Sequence, residues 1–313
     1  PTLFPNWFDK SKWDMIEAHK GMSCEIEDIP PKYNIDILYE DEIAIHSSLD
    51  TIVMYASRGC VNKCGYCAVP ILEGAMRSFK SIKNMLISAK EDMPKARSIV
   101  LYDNNFTEHE YFDNIIDELV DFGLPVDIHG LHVDSFTEHQ AKRFAELKWQ
   151  SQSEHGNPYI RFSFDKIKYA DNLERAFKLF LKYDIKAEFF AYMLFNFIDK
   201  PEDFWWRIQK VQNIVLKNGG GMLLFPQRYE PFKSLKRNQY IGKHWTEEMV
   251  RGLVRVYTNK LKGWLRVNQY GAIYKHIGYS LDEFLYNIKK EGETPEEDES
   301  PEFYPYKFFK KSK

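Results

Sequence analysis

Between residues 51 and 230, short apolar runs alternate with amphipathic ones. TIVMYAS (51–57), SIVLYDNNF (98–106), PVDIHGLHV (125–133), YIRFSFD (159–165), KAEFFAYMLF (186–195) and GMLLFPQRY (221–229) are rich in β-branched and aromatic residues and read as strands. The intervening runs at 78–92, 108–123, 137–149, 171–184 and 200–219 carry apolar residues at helical spacing, and Gly123 closes the second of them. Strands alternating with helices in this way predict an α/β fold built on a parallel sheet with right-handed crossovers. Six such units are too few for a closed eight-stranded barrel, so an open or partial barrel is expected, with ligands at the C-terminal ends of its strands.

After Glu230 the rhythm changes. Residues 231–290 read as a mainly helical extension, with HWTEEMVRGLVRVYTNKLKGWL (244–265) a long amphipathic stretch. Residues 291–313 turn from acidic to basic and read as a poorly ordered tail. Residues 1–50 hold few strong periods and read as an extended approach to the sheet. The sequence opens on Pro1, so further residues upstream are expected.

Composition narrows the function classes. No apolar run approaches the roughly 20 residues of a membrane span, and no charged leader with a cleavage site is visible, which makes the cytoplasm the expected compartment and excludes a membrane partner. A net charge of −3 gives no overall nucleic-acid footprint. The basic runs at 233–240 and 307–313 read as solvated faces, and the aromatics of FFAYMLFNF and DFWWRIQ as core rather than base-stacking platforms.

Four cysteines in 313 residues are too few for a disulfide scaffold. Three of them, Cys60, Cys64 and Cys67, form C-x3-C-x2-C directly after the first strand. Three thiolates on a short loop suit an iron–sulfur cubane with one iron left open. The alternative is zinc, with Cys24 or His46 as a fourth ligand, although no second CxxC or HxxxH pair accompanies it.

The motif, with Tyr66 before its last cysteine and its place after the first strand, resembles that of the radical S-adenosylmethionine (SAM) superfamily. The resemblance spans roughly 51–230 and implies a partial (βα)6 barrel. RGCVNKCGYCAVPILEG, LYDNNF, FNFIDKPEDF and PQRYEP look like the subgroup with an N-terminal cobalamin-binding, Rossmann-like domain. HKGMSCEIEDIPPKYNIDI resembles that subgroup's linker, and most of the upstream domain is expected to lie outside this sequence. The resemblance implies a [4Fe-4S] cluster on Cys60, Cys64 and Cys67, SAM chelating the fourth iron, and reductive cleavage of SAM to methionine and a 5′-deoxyadenosyl radical. It also implies an electron donor such as flavodoxin or ferredoxin, and cobalamin-dependent methylation if the upstream domain is present.

Further site residues follow from position. Asp103, Asn104 and Asn105 end the second strand, where the superfamily often has a Gly-Gly-Glu-like segment for the SAM amino group; both glycines are absent here, and an Asn/Asp helix cap is the alternative. Asn196 resembles a position whose backbone packs on adenine. Arg161 and Asp165 share a face by alternation and either line the barrel or pair with each other. Arg228, among Gln227, Tyr229 and Glu230, suits a carboxylate or phosphate, or a plain salt bridge. His129 and His132 fall on opposite faces unless Gly130 introduces a bulge. The expected substrate is a small molecule rather than RNA. An RNA-modifying, methylthiotransferase-like enzyme and a non-catalytic zinc or cluster-binding module are the competing classes.

Overall fold

The computed structural model describes residues 50–150, 157–234, 238–260, 265–271 and 273–290. The approach segment before Asp50, with Cys24 and His46, and the tail over 291–313 lie outside the described residues. In chain order, β1 (Thr51–Met54), β2 (Ser57–Arg58), α1 (Val69–Leu72), β3 (Arg77–Ser78) and α2 (Lys83–Asp92) form the first unit. Next come β4 (Ser98–Leu101), α3 (Phe112–Phe122), β5 (Val126–Ile128), β6 (Leu131–His132) and α4 (Glu138–Phe144). They are followed by β7 (Tyr159–Ser163), α5 (Ala170–Lys182), β8 (Glu188–Phe195), α6 (Pro201–Asn218) and β9 (Gly221–Arg228). The last are α7 (Glu247–Arg255), β10 (Leu265–Asn268), α8 (Tyr274–Ile277) and α9 (Leu281–Lys289).

All six expected strands are present and parallel, but they form two ladders: β1-β4-β5, and β6-β7-β8-β9 with β10 antiparallel at its edge. The division falls inside the third predicted strand. Gly130 takes a positive φ of 74° and passes so close to β4 that a Cβ there would stand 2.1 Å from the Asp103 carbonyl oxygen. The chain leaves the first ladder as β5 and joins the second as β6.

The helices cover the sheet with the faces their periods predict. Phe189 on β8 meets Phe177 and Phe180 of α5 with ring centroids 5.3 and 5.5 Å apart. Phe162 and Phe164 on and after β7 are fully buried, as are Phe195 and Phe204. The aromatic-rich runs are therefore mainly core, with Trp206 the exposed exception at 52%. Gly123, left-handed at φ 74°, ends α3 as expected.

Two expectations need correction. The second helix starts at Lys83 rather than at residue 78, because Ser78 is taken by a two-residue antiparallel ribbon with Ser57. The region 231–290 is not wholly helical: α7 runs into a wider π-helical turn at Val256–Lys260, and β10 then adds to β9. Leu265 and Val267 are fully buried while Arg266 between them is exposed, a period of two that the longer amphipathic stretch hides.

Gly130→Ala is expected to lower stability by about 2–4 kcal/mol, combining left-handed backbone strain with a forced shift of the β4 end. Urea unfolding of the variant beside the parent checks this; a change below 1 kcal/mol, taken as about the error of such a comparison, would mean that the close approach is not rigid.

Candidate functional site

The cysteine loop leaves β2 through Gly59, whose φ of 74° and whose absent Cβ, which would lie 2.2 Å from the Ala75 carbonyl oxygen, require glycine. Cys60 N–H donates to the Gly74 carbonyl at 3.3 Å, and Cys67 N–H to the Cys64 carbonyl at 3.0 Å, so the loop is closed at its base and turned at its tip. All three thiols are free and part-buried. Burial pushes the Cys67 thiol above its ordinary pKa, and the charges of Cys64, Cys60 and Glu73 push it the same way against a lowering contact with the Val69 backbone. Cys67 is thus within electrostatic reach of both Cys60 and Cys64. Among the described residues, no group of three Cys, His, Asp or Glu side chains is placed to hold a single metal ion, and Cys24 and His46 lie outside them. Three free thiols on one short loop are a donor set that a cubane, with one thiolate on each of three irons, would accept.

Glu73, which sequence reasoning missed, anchors the loop. Its Oε2 accepts from Gly59 N–H at 2.8 Å and from Asn104 Nδ2 at 2.8 Å, and lies 3.2 Å from Arg58 Nε. A signal was there: Glu73 is the single carboxylate between residues 51 and 90.

The second-strand segment divides its labour. Asp103 is almost fully buried; its Oδ2 accepts from Ala56 N–H at 3.0 Å and its Oδ1 from the Ser57 hydroxyl at 2.5 Å. Both oxygens face the protein, so the side chain fastens the end of β1 and does not present itself to a ligand. Asn105 Nδ2 lies 3.8 Å from Cys60 Sγ, and its Oδ1 accepts from Thr107 at 2.8 Å. Asn105 stands at the N-cap of a 3-10 turn, Phe106–Glu108, and its carbonyl accepts from Glu108 N–H, but neither asparagine side chain caps a helix, and α3 begins only at Phe112 with no side-chain cap. His109, also unforeseen, donates from Nε2 to the Ala56 carbonyl at 2.8 Å.

On the other side of the loop, the Tyr66 hydroxyl donates to Asp165 Oδ2 at 3.0 Å, while Asp165 Oδ1 accepts from Leu194 N–H at 2.9 Å. Burial, and then the neighbouring Asp165 and Cys64, raise the Tyr66 pKa, so the phenol stays a donor. Beneath this contact the fully buried Arg207 donates to the carbonyls of Phe164, Asp165 and Leu194, binding the ends of β7 and β8 together. Its place on the apolar stripe of α6, between Phe204 and Ile208, was the signal in the sequence.

Three expectations resolve inward. Arg161 does not pair with Asp165, which lies beyond β7; it pairs with the buried Asp127. Arg228 is held by Glu230 at 3.1 Å and by the Tyr240 carbonyl at 3.0 Å, the plain salt bridge rather than an open anion site. Asn196, fully buried at φ 67°, donates to the Tyr229 and Tyr240 carbonyls and accepts from Gly242 N–H at 2.7 Å, so its side chain is a bracket behind β8. The break at Gly130 also resets the alternation. His132 is in register with Ser163, two residues beyond Arg161, and so shares a face with Asp127 and His129. The two histidines do not meet: His129 packs on Tyr102 and His132 on Tyr169.

No family model matches the chain, and no curated protein matches it. Among solved structures it is similar to SuiB of Streptococcus suis, with a TM-score of 0.44 at 14% identity. SuiB bound to S-adenosylmethionine gives 0.43 at 14%, and SuiB bound to the precursor peptide SuiA gives 0.43 at 15%. The alignments cover 68% of this chain and 45–47% of SuiB, so the chain spans about half the length of the structures it matches. No helix among the described residues is long and apolar enough to cross a membrane.

Burial raises the Asp103 carboxyl from 3.8 to about 6, against the lowering effect of its two donors. A folded pKa above the unfolded one means that the proton is bound more tightly when folded. The resulting stability is full below about pH 4 and is lost as pH rises through about 6, amounting to about 3 kcal/mol. Urea unfolding at both ends of this window should show that loss in the parent and not in Asp103→Asn; equal pH dependence in the two proteins would refute it.

Proposed function

We propose that this chain is a radical SAM enzyme. The observation that carries the reading is the C-x3-C-x2-C loop that follows β1 and β2, with three free, part-buried thiols on a loop fastened by Glu73 at Gly59 and by Asp165 at Tyr66. In this reading Cys60, Cys64 and Cys67 would hold a [4Fe-4S] cluster and leave one of its irons open to SAM. The bound group would supply the electron for reductive cleavage of SAM, and with it the means to attack an unactivated substrate carbon.

The chain's own residues bind and orient. Glu73 gathers its donors on Oε2 and holds Asn104 beside the loop, and a carboxylate there is an acceptor of the kind an ammonium group needs. Tyr66 ties the loop to Asp165 and fixes its attitude to the sheet. The six parallel strands over 51–230 are the partial (βα)6 barrel of this reading. Residues 231–290 form an extension packed on it, with Phe284 stacked against Phe204 and Trp205 of α6. A small-molecule substrate and an electron donor of the flavodoxin or ferredoxin kind complete the proposal. Its finer form, methylation with cobalamin, depends on sequence before Asp50.

Anaerobic reconstitution should give a brown protein, and Cys60→Ala, Cys64→Ala and Cys67→Ala should each lose iron while Cys24→Ala keeps it. Equal loss in all four variants would make Cys24 a ligand and leave no open iron.

With dithionite and no substrate, the reconstituted protein should slowly convert SAM to methionine and 5′-deoxyadenosine. No product above the Cys64→Ala blank would reject the enzyme reading in favour of a binding or structural cluster.

A further inference from the structure

Away from the cysteine loop, Tyr102, Asp127, His129, Arg161 and Tyr192 gather on or just after β4, β5, β7 and β8. Arg161 is 4% exposed and Asp127 1%, and Arg161 Nη1 donates to Asp127 Oδ1. The Tyr159 ring lies under the guanidinium, 5.5 Å from centroid to carbon. Arg161 Nη2 is buried and has no hydrogen-bond partner among the described residues. His129 Nε2 stands 3.4 Å from Asp127 Oδ2 without the alignment of a hydrogen bond. Asp127 therefore faces two groups able to carry positive charge. Burial by itself would raise its pKa, yet the adjoining His129 and Arg161 hold it below the usual carboxylate value, so it is ionised and contributes no proton. Tyr192 is in register with Ser163 and so lies on the face that Arg161 shares, and burial raises the pKa of its phenol, which is a hydroxyl at neutral pH.

The unmet valence in this cluster is a donor, held rigidly, and buried donors left without acceptors are rare in folded proteins. We propose that Arg161, with His129 and Tyr192, forms a subsite for a carboxylate group of a small molecule. The carboxylate accepts from Arg161 Nη2 and from the Tyr192 hydroxyl, and enters from the side of His129 and Tyr102, whose rings pack 4.5 Å apart and whose exposure makes them the solvent face. Asp127 is a positioning residue: it fixes the guanidinium plane and leaves Nη2 for the ligand. The assignment rests on the function proposed above only in taking the bound molecule for the substrate. Binding is measured without cleavage of SAM, so either reading can fail alone.

The test uses the full 313-residue chain labelled with 13C-histidine. His129→Gln assigns the His129 ring signal. Sodium acetate, titrated at constant ionic strength against sodium chloride, should move that signal saturably, and acetamide should not. The double variant Asp127→Asn/Arg161→Gln keeps the cluster neutral, its fold is checked by a thermal melt, and it should bind acetate at least tenfold more weakly, the scale of a lost charged hydrogen bond. Tyr192→Phe leaves the ion pair intact and should weaken acetate roughly threefold or more, by loss of a neutral one. The proposal is overturned if acetate gives no saturable shift, if acetamide matches acetate, or if a folded double variant binds acetate as the parent does.

Discussion

One buried carboxylate fixes where the cysteine loop begins. Asp103 holds the Ala56 amide and the Ser57 hydroxyl, joining the end of β1 to the end of β4, and its own carbonyl is the surface against which Gly130 packs. The Ala56 carbonyl is taken in turn by His109 and by Phe79 N–H, so both backbone groups of that residue are committed. Three neighbouring strands therefore meet at one residue. Moving it would displace the point from which residues 57–67 leave the sheet.

The loop has two further fastenings of different kinds. On one flank Glu73 neutralises Arg58 and caps the Gly59 amide within a stretch whose other charged residues are basic. On the other, Tyr66 reaches Asp165, and Arg207 beneath it ties three carbonyls together. A buried guanidinium is tolerated there because nearly all its donors find oxygen, with Asp199 3.6 Å away. The loop that carries the thiols is thus held from both flanks, by Glu73 with Asn104 after β4 and by Asp165 after β7.

The strands and helices were legible because burial on a parallel sheet imposes its periods on the sequence. The cysteines were legible because their spacing is local. What escaped was whatever depends on partners distant in sequence. Arg161 finds Asp127 across 34 residues and Tyr66 finds Asp165 across 99, and no local pattern encodes either pairing. The split of the third strand was half visible in Gly130, but its reason, the approach to Asp103, lies 27 residues earlier and belongs to the fold. β10 was missed because four alternating residues follow an apolar helical stretch whose period dominates.

That split leaves a seam. Between β5 and β6 no ladder crosses from one sheet to the other, so part of their cohesion is carried by side chains, among them the Asp127–Arg161 pair that spans from β5 to β7. Beside that pair, Phe106 N–H donates to the Gly130 carbonyl, and Thr107 meets the His132 amide, the Ser135 hydroxyl and the Gln140 side chain. Added salt does not screen so deeply buried an ion pair, so its share of the seam's strength is set by packing and by whatever competes for the guanidinium.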